Sequence, residues 1–194
     1  MLLALGFAGC FDWQRNVTRD GVSFVRLRVE NRNVIGELAA DTVIAGRPCR
    51  RGWVHLHPNG VPEGFTAARE FAAGRLTIPA GTWVIQDENQ IIRVCAFPSD
   101  REVQGHLCRG TGGPEGAQAS FYPSGALKQF FPPSDTRIDG VACAAGMIRG
   151  SVTMHENGRL KSARLSEALV RDGVTFAAGA RIELDPAGHP QRVP

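Results

Sequence analysis

Five short stretches of this chain line up in two mostly apolar columns two residues apart, with a mostly polar position between them, and each then runs into a turn. Val54, Val84, Ala119, Val152 and Ile182 form one column, and Leu56, Gln86, Phe121, Met154 and Leu184 form a second. Between them lie His55, Ile85, Ser120, Thr153 and Glu183. Apolar, mostly polar, apolar is the period of a strand with one buried face and one exposed column. The turns that follow are "HPNG" (57–60), "DENQ" (87–90), "YPSG" (122–125), "HENG" (155–158) and "DPAG" (185–188). Pro or Glu in the second position suits a type I turn, and Gly in the fourth suits a left-handed residue that closes it with a G1 bulge. Gly60, Gly125, Gly158 and Gly188 are therefore the candidate turn glycines. Gln90 fits that position least well and predicts a looser turn there. A sixth stretch, "ENRN" (30–33), joins the pattern if Asn33 closes its turn, which puts Leu27 and Val29 in the two apolar columns.

A second pattern follows each turn. "DTVIAGRPCRRG" (41–52), "DTRIDGVACAAG" (135–146) and "RDGVTFAAG" (171–179) are its clearest copies, and "LTIPAG" (76–81) and "EVQGHLCRG" (102–110) are degenerate ones. The turn-closing residue lies 21, 20, 21 and 21 residues before the final Gly of its unit, and the final glycines recur every 29, 29, 36 and 33 residues. The longest step holds the insertion "GTGGPEGAQ" (110–118). No segment sustains a 3.6-residue period; "LKSARLSEALV" (160–170) comes nearest, but its counterparts at 127–138 and 92–103 contain Pro, so strand or loop is expected there too. The expected fold is all-β, an elongated array of stacked β-hairpin repeats of about 29–36 residues, each burying its apolar face on its neighbours.

The turn-and-strand signature "YPSGALK" and "HENGRLK" resembles the MORN family of repeats in its short bacterial variant. The whole unit resembles that of bacterial lipoproteins built from tandem repeats, over roughly residues 25 to 190. The resemblance implies a scaffold or a protein- or lipid-docking surface. The chain lacks the dense Gly and Tyr of typical MORN units, which argues against lipid binding through that signature.

The N-terminus adds a location. "LLALGFAGC" is apolar and ends in small residues just before Cys10, as at the end of a bacterial lipoprotein signal. Phe7 departs from the usual Leu, and no basic region precedes the stretch. On this reading residues 1–9 are a truncated signal, Cys10 is the lipidation site, 10–24 is a leader or linker, and 25–194 is one repeat domain with the 110–118 loop inserted. No apolar stretch approaches the ~20 residues of a spanning helix. Removing Cys10 leaves Cys49, Cys95, Cys108 and Cys143, free to pair in an oxidising periplasm or to stay as buried thiols. Net charge is only +3, with Arg scattered among acids, so the basic residues read as solvated surface and not as a nucleic-acid footprint.

Candidate chemistry is thin. His55 and His57 share a strand face and could ligate a metal, yet Asp87, Tyr122, His155 and Asp185 fill the His57 position in other units, as at an ordinary polar turn position. Cys49, Cys108 and Cys143 match Ile78 and Phe176, which marks a core column. "GTGGPEG" lacks the Lys-Ser/Thr and helix of a phosphate loop. No catalytic, cofactor-binding or metal-binding residue is assigned. The expectation is a non-catalytic, lipid-anchored scaffold or protein-binding module on the periplasmic side of the bacterial envelope, at the outer membrane. It would hold a protein partner, touch the membrane only through its anchor, and use no nucleic acid or cofactor. The alternative is an envelope hydrolase, or an accessory subunit of one.

Overall fold

The computed structural model describes residues 13–147 and 150–191, and everything regular in them is β-structure. In chain order the strands are β1 (Gln14–Arg19), β2 (Val22–Glu30), β3 (Asn33–Leu38), β4 (Thr42–Ile44), β5 (Arg47–Leu56), β6 (Pro62–Ala67) and β7 (Phe71–Ala73). There follow β8 (Leu76–Ile78), β9 (Trp83–Gln86), β10 (Ile92–Ala96), β11 (Arg101–Val103), β12 (His106–Cys108), β13 (Ala119–Phe121) and β14 (Leu127–Phe130). The last are β15 (Thr136–Ile138), β16 (Val141–Cys143), β17 (Val152–Met154), β18 (Leu160–Arg164), β19 (Leu169–Arg171), β20 (Val174–Phe176) and β21 (Arg181–Glu183). One antiparallel sheet runs β1-β2-β3-β5-β6-β9-β10-β13-β14-β17-β18-β21, with β4 added on β5. Four separate two-stranded hairpins, β7–β8, β11–β12, β15–β16 and β19–β20, lie between successive pairs of sheet strands in the sequence.

The turns explain why the sheet meanders so regularly. In each of the five, the closing residue's N–H donates to the first residue's carbonyl at 2.9 Å, and the first residue's N–H donates to the carbonyl four residues on at 2.7–3.1 Å. The closing residues Gly60, Gln90, Gly125, Gly158 and Gly188 all stand at positive φ, between 63° and 95°. That is the type I turn with a G1 bulge. Gln90 makes the same turn as the glycines, at φ 63°, and not a looser one. Two supports hold it: Asp87 Oδ1 accepts the N–H groups of Asn89 and Ile91, and the Arg47 guanidinium donates to the Gln90 carbonyl at 2.9 Å.

"ENRN" folds differently from expectation. Asn31 and Arg32 form a two-residue turn at φ 47° and 73°, and Glu30 pairs directly with Asn33, so Asn33 begins β3 and closes nothing. Two consecutive left-handed residues are what a type I′ hairpin requires. The boundary at residue 25 also moves: residues 14–24, read as part of a leader, form β1 and the start of β2, and Val17, Val22 and Phe24 pack into the core.

One hydrophobic cluster joins the sheet to the hairpins. The two predicted columns are its spine, with Val54, Val84 and Val152 fully buried and every other member 6% exposed or less. From the hairpins come Cys49, Ile78, Cys108 and Cys143, each at most 1% exposed, together with half-buried Phe176. At roughly 25 cal/mol per Å² of apolar surface, each large side chain in such a column contributes on the order of 1.5–3 kcal/mol. Where three hairpins leave the sheet and return, an Asp bridges the base: Asp41, Asp100 and Asp135 accept the N–H of the residue ten further on, at 2.7–2.9 Å.

Candidate docking face

Because the sheet is antiparallel and five of its turns are built alike, side chains on the face away from the hairpins fall into rows. The register pairs Arg28 with Ile35, Ile35 with His55, His55 with Gly64, Gly64 with Ile85, and Ile85 with Val94. It continues Val94 to Ser120, Gln129, Thr153, Ser162 and Glu183. Neighbours in this row stand about 4.8 Å apart, the spacing of hydrogen-bonded strands. The row changes character midway, from aliphatic and aromatic groups to hydroxyl and amide groups. The expected exposed column within it, His55, Ile85, Ser120, Thr153 and Glu183, is half-buried at every member. Close-set neighbours across the strands shield it from both sides.

The N-terminal half of the face holds all three tryptophans. The Arg26 guanidinium lies 5.3 Å from the Trp13 ring centroid and 4.9 Å from that of Trp53, and it pairs with Glu37 at 2.9 Å. Arg28 adds a second cation 5.0 Å from Trp13. Trp53 remains 44% exposed. Trp83 is nearly covered, with His55 edge-on at 6.4 Å and Gly64 beside it. A Cβ on Gly64 would stand 3.1 Å from the Trp83 ring, so the missing side chain makes room for the indole. The third residue past three successive turns is a cation: Arg93, Lys128 and Lys161, the last two being the chain's only lysines.

The turn edge is locked from one turn to the next. His57 Nε2 lies 3.0 Å from the Gln86 carbonyl, Tyr122 Oη donates to the Met154 carbonyl at 2.9 Å, and His155 Nε2 lies 2.9 Å from the Leu184 carbonyl. A carbonyl can only accept, so both imidazoles carry their proton on Nε2. Asn59 and Asn157 donate to the Glu88 and Pro186 carbonyls, and Ser124 bonds Glu156 at 2.6 Å. His55 and His57 thus serve different neighbours, and among the described residues no three His, Cys, Asp or Glu side chains gather as metal ligands would.

The four cysteines are free and buried. Burial pushes the thiols of Cys49, Cys95 and Cys108 up to about 12 and that of Cys143 to about 11. Cys49, Cys108 and Cys143 each donate weakly to the carbonyl two residues before, at 3.5–3.6 Å. A thiol so placed is a small hydrophobe. His106 stacks on Phe130 at 5.4 Å, and burial lowers its pKa against the opposing pull of Asp139. Cys10 lies outside the described residues.

The 110–118 insertion is a folded loop. Gly112 N–H donates to the Phe97 carbonyl, Ala117 N–H to Thr111 Oγ1, and Gln118 Nε2 to the Pro114 carbonyl. Gly110 touches the Ser99 backbone so closely that no side chain fits there. Reading along the sequence missed the tryptophan–arginine cluster, because its members sit on separate segments of the chain. It also missed the first hairpin, although "RDGVSF" (19–24) recurs almost unchanged as "RDGVTF" (171–176).

Comparison of the chain with protein-family models, with curated proteins and with solved structures finds no match.

Proposed function

We propose that this chain is a non-catalytic tandem-repeat scaffold, MORN-like in its units, which docks a protein partner at the bacterial cell envelope. It is held there by a lipid on Cys10, on the periplasmic side of the outer membrane. The observation that carries the reading is the row from Arg28 to Glu183, which crosses eleven strands and lines up ten side chains, with Gly64 between them, on one face. Catalysis needs a few unlike groups converging on one point, whereas a row of like spacing suits extended contact with another surface. Trp53 and Arg26 supply the residue types that dominate protein–protein hot spots, and the 110–118 loop adds a second rigid element.

The test is recovery of partners from native envelopes with the lipidated protein, in parallel with two variants. One lacks residues 111–117; the other carries Lys128→Glu and Lys161→Glu on the outer face. Loss of a partner in either variant is expected. Unchanged recovery in both removes the proposed surface, and hydrolase activity lost on changing a single His or Cys removes the non-catalytic reading. An unmodified Cys10 by mass spectrometry removes the anchor alone.

A further inference from the structure

The two ends of the sheet are finished differently. Where a hairpin is followed by another, the third residue past its two-residue tip turn is sealed: Phe24 is 2% exposed, Cys49 0%, Ile78 1%, Cys108 1% and Cys143 0%. In the last hairpin the same position, Phe176, is only half-buried. The residue just past the tip turn shows it more plainly, with Val141 at 0% and Val174 at 48%. Val174, Phe176, Ile182 and Pro190 line a cleft of about 640 Å³, with Asp172, Arg181 and Glu183 at its rim.

The opposite end is closed. Edge strand β1 is exposed along nearly all its length, carries Arg15 and Arg19, and is broken by Asn16 in the left-handed region at φ 51°. Charges and an irregular residue are how sheets prevent strand addition. Among the described residues the N-terminal end thus shows a polar, irregular edge strand, whereas the C-terminal end shows an apolar cleft with charges around it.

We propose that the C-terminal end face pairs with the same face of a second copy, giving a closed two-fold dimer. A capped N-terminal end cannot receive the apolar cleft, so head-to-tail stacking is disfavoured. A two-fold contact instead places like on like, and such a surface must be self-complementary. This one is: Arg171 adjoins Asp172, and Arg181 lies 3.9 Å from Glu183, so each cation can meet the partner's anion across the axis. Apolar groups at the centre with mixed charges at the rim is the usual layout of such an interface. The dimer shares Glu183 with the end of the docking row and leaves the rest of that row, from Arg28 to Thr153, open on both copies.

Sedimentation velocity on the full chain across the micromolar range tests this. The wild type should run at twice the chain mass, Val174→Glu as a monomer with an unchanged circular dichroism spectrum, and Val29→Glu, at the capped end, as a dimer. Should Val174→Glu fail to fold, the charge pair decides. Arg181→Glu should weaken the dimer about tenfold or more, and adding Glu183→Arg should restore it. A monomeric wild type, a dimer that survives both Val174→Glu and Arg181→Glu, or an assembly that grows without closing overturns the proposal.

Discussion

Replacing Arg47 by Leu should destabilise the sheet far more than its half-exposed position suggests. The column that buries Leu56, Phe121, Met154 and Leu184 holds Gln86 in its second member, 1% exposed. Gln86 Nε2 donates to the Pro62 carbonyl at 2.8 Å, and its Oε1 accepts from Arg47 Nε at 3.0 Å. Arg47 also lies 5.2 Å over the Phe71 ring. Removing the guanidinium leaves Oε1 buried without a donor, which costs about 1–3 kcal/mol, and forfeits a cation–π contact of about 0.5–1 kcal/mol. The expected loss is therefore about 1.5–4 kcal/mol. Gln86→Leu restores the apolar column but strands the Pro62 carbonyl, for a cost of about 1–2 kcal/mol. The double variant should lose less than the sum of the singles by about 1 kcal/mol or more, since with the Gln86 amide gone the loss of the guanidinium no longer strands Oε1. Urea unfolding followed by tryptophan fluorescence measures all four corners, and equal slopes would show that one transition is being compared. A loss below about 0.5 kcal/mol for Arg47→Leu, or simple additivity within about 0.5 kcal/mol, refutes the network.

Gly125→Val should cost about 1–2 kcal/mol or more, because φ is 81° there, while Ala187→Ser at an exposed turn position should be near neutral by the same unfolding assay. The four buried thiols should resist a thiol reagent at pH 8 until urea unfolds the chain. Burial holds them at about 11–12 in the folded chain, above the 9.0 of a free thiol. The folded state thus holds its protons longer than the unfolded one. That contribution is complete below about pH 9 and is lost as pH rises toward 12, so melting temperature should fall over that window and Cys→Ala variants should flatten the fall.

Much of this was legible because turns and alternation are local. The residue that closes four of the five turns is Gly, and a strand with one buried face must alternate, so five turns and two columns could be placed from the sequence. What stayed hidden depends on distant partners. Gln90 looked like a misfit, and nothing nearby announces that Asp87 and an arginine 43 residues earlier hold it in the same turn. The leader was misassigned because β2 runs from its hairpin straight into the sheet, without the glycine corner that marks the later exits at Gly52, Gly81, Gly146 and Gly179. Of the docking face, the column from His55 to Glu183 was visible, but its half-buried state and the Trp13–Arg26–Trp53 stack arise only when strands meet side by side.

Hairpin tips and turns show how closely these distant choices are matched. Gln104, at one tip, accepts the N–H of Leu127 and donates to the Gly125 carbonyl; Asp139, at the next, accepts the N–H of Leu160. Leu127 and Leu160 are each the second residue past a turn. At the same position in two other units stand Pro62 and Pro190, which have no N–H to satisfy. The equivalent tip residue in the first of these units is Ala45, whose side chain has no acceptor to offer, and in the second it is Asp172, which takes His189 Nδ1 at 3.0 Å instead. In these four units the backbone donor at the seam is either met by the neighbouring hairpin or absent, as a buried polar group requires. Such pairing fixes how each hairpin sits on the next turn, and it does so from behind the sheet. The outer face is left free of that duty, so its rows answer to their own cross-strand neighbours alone, as Gly64 does to the Trp83 ring.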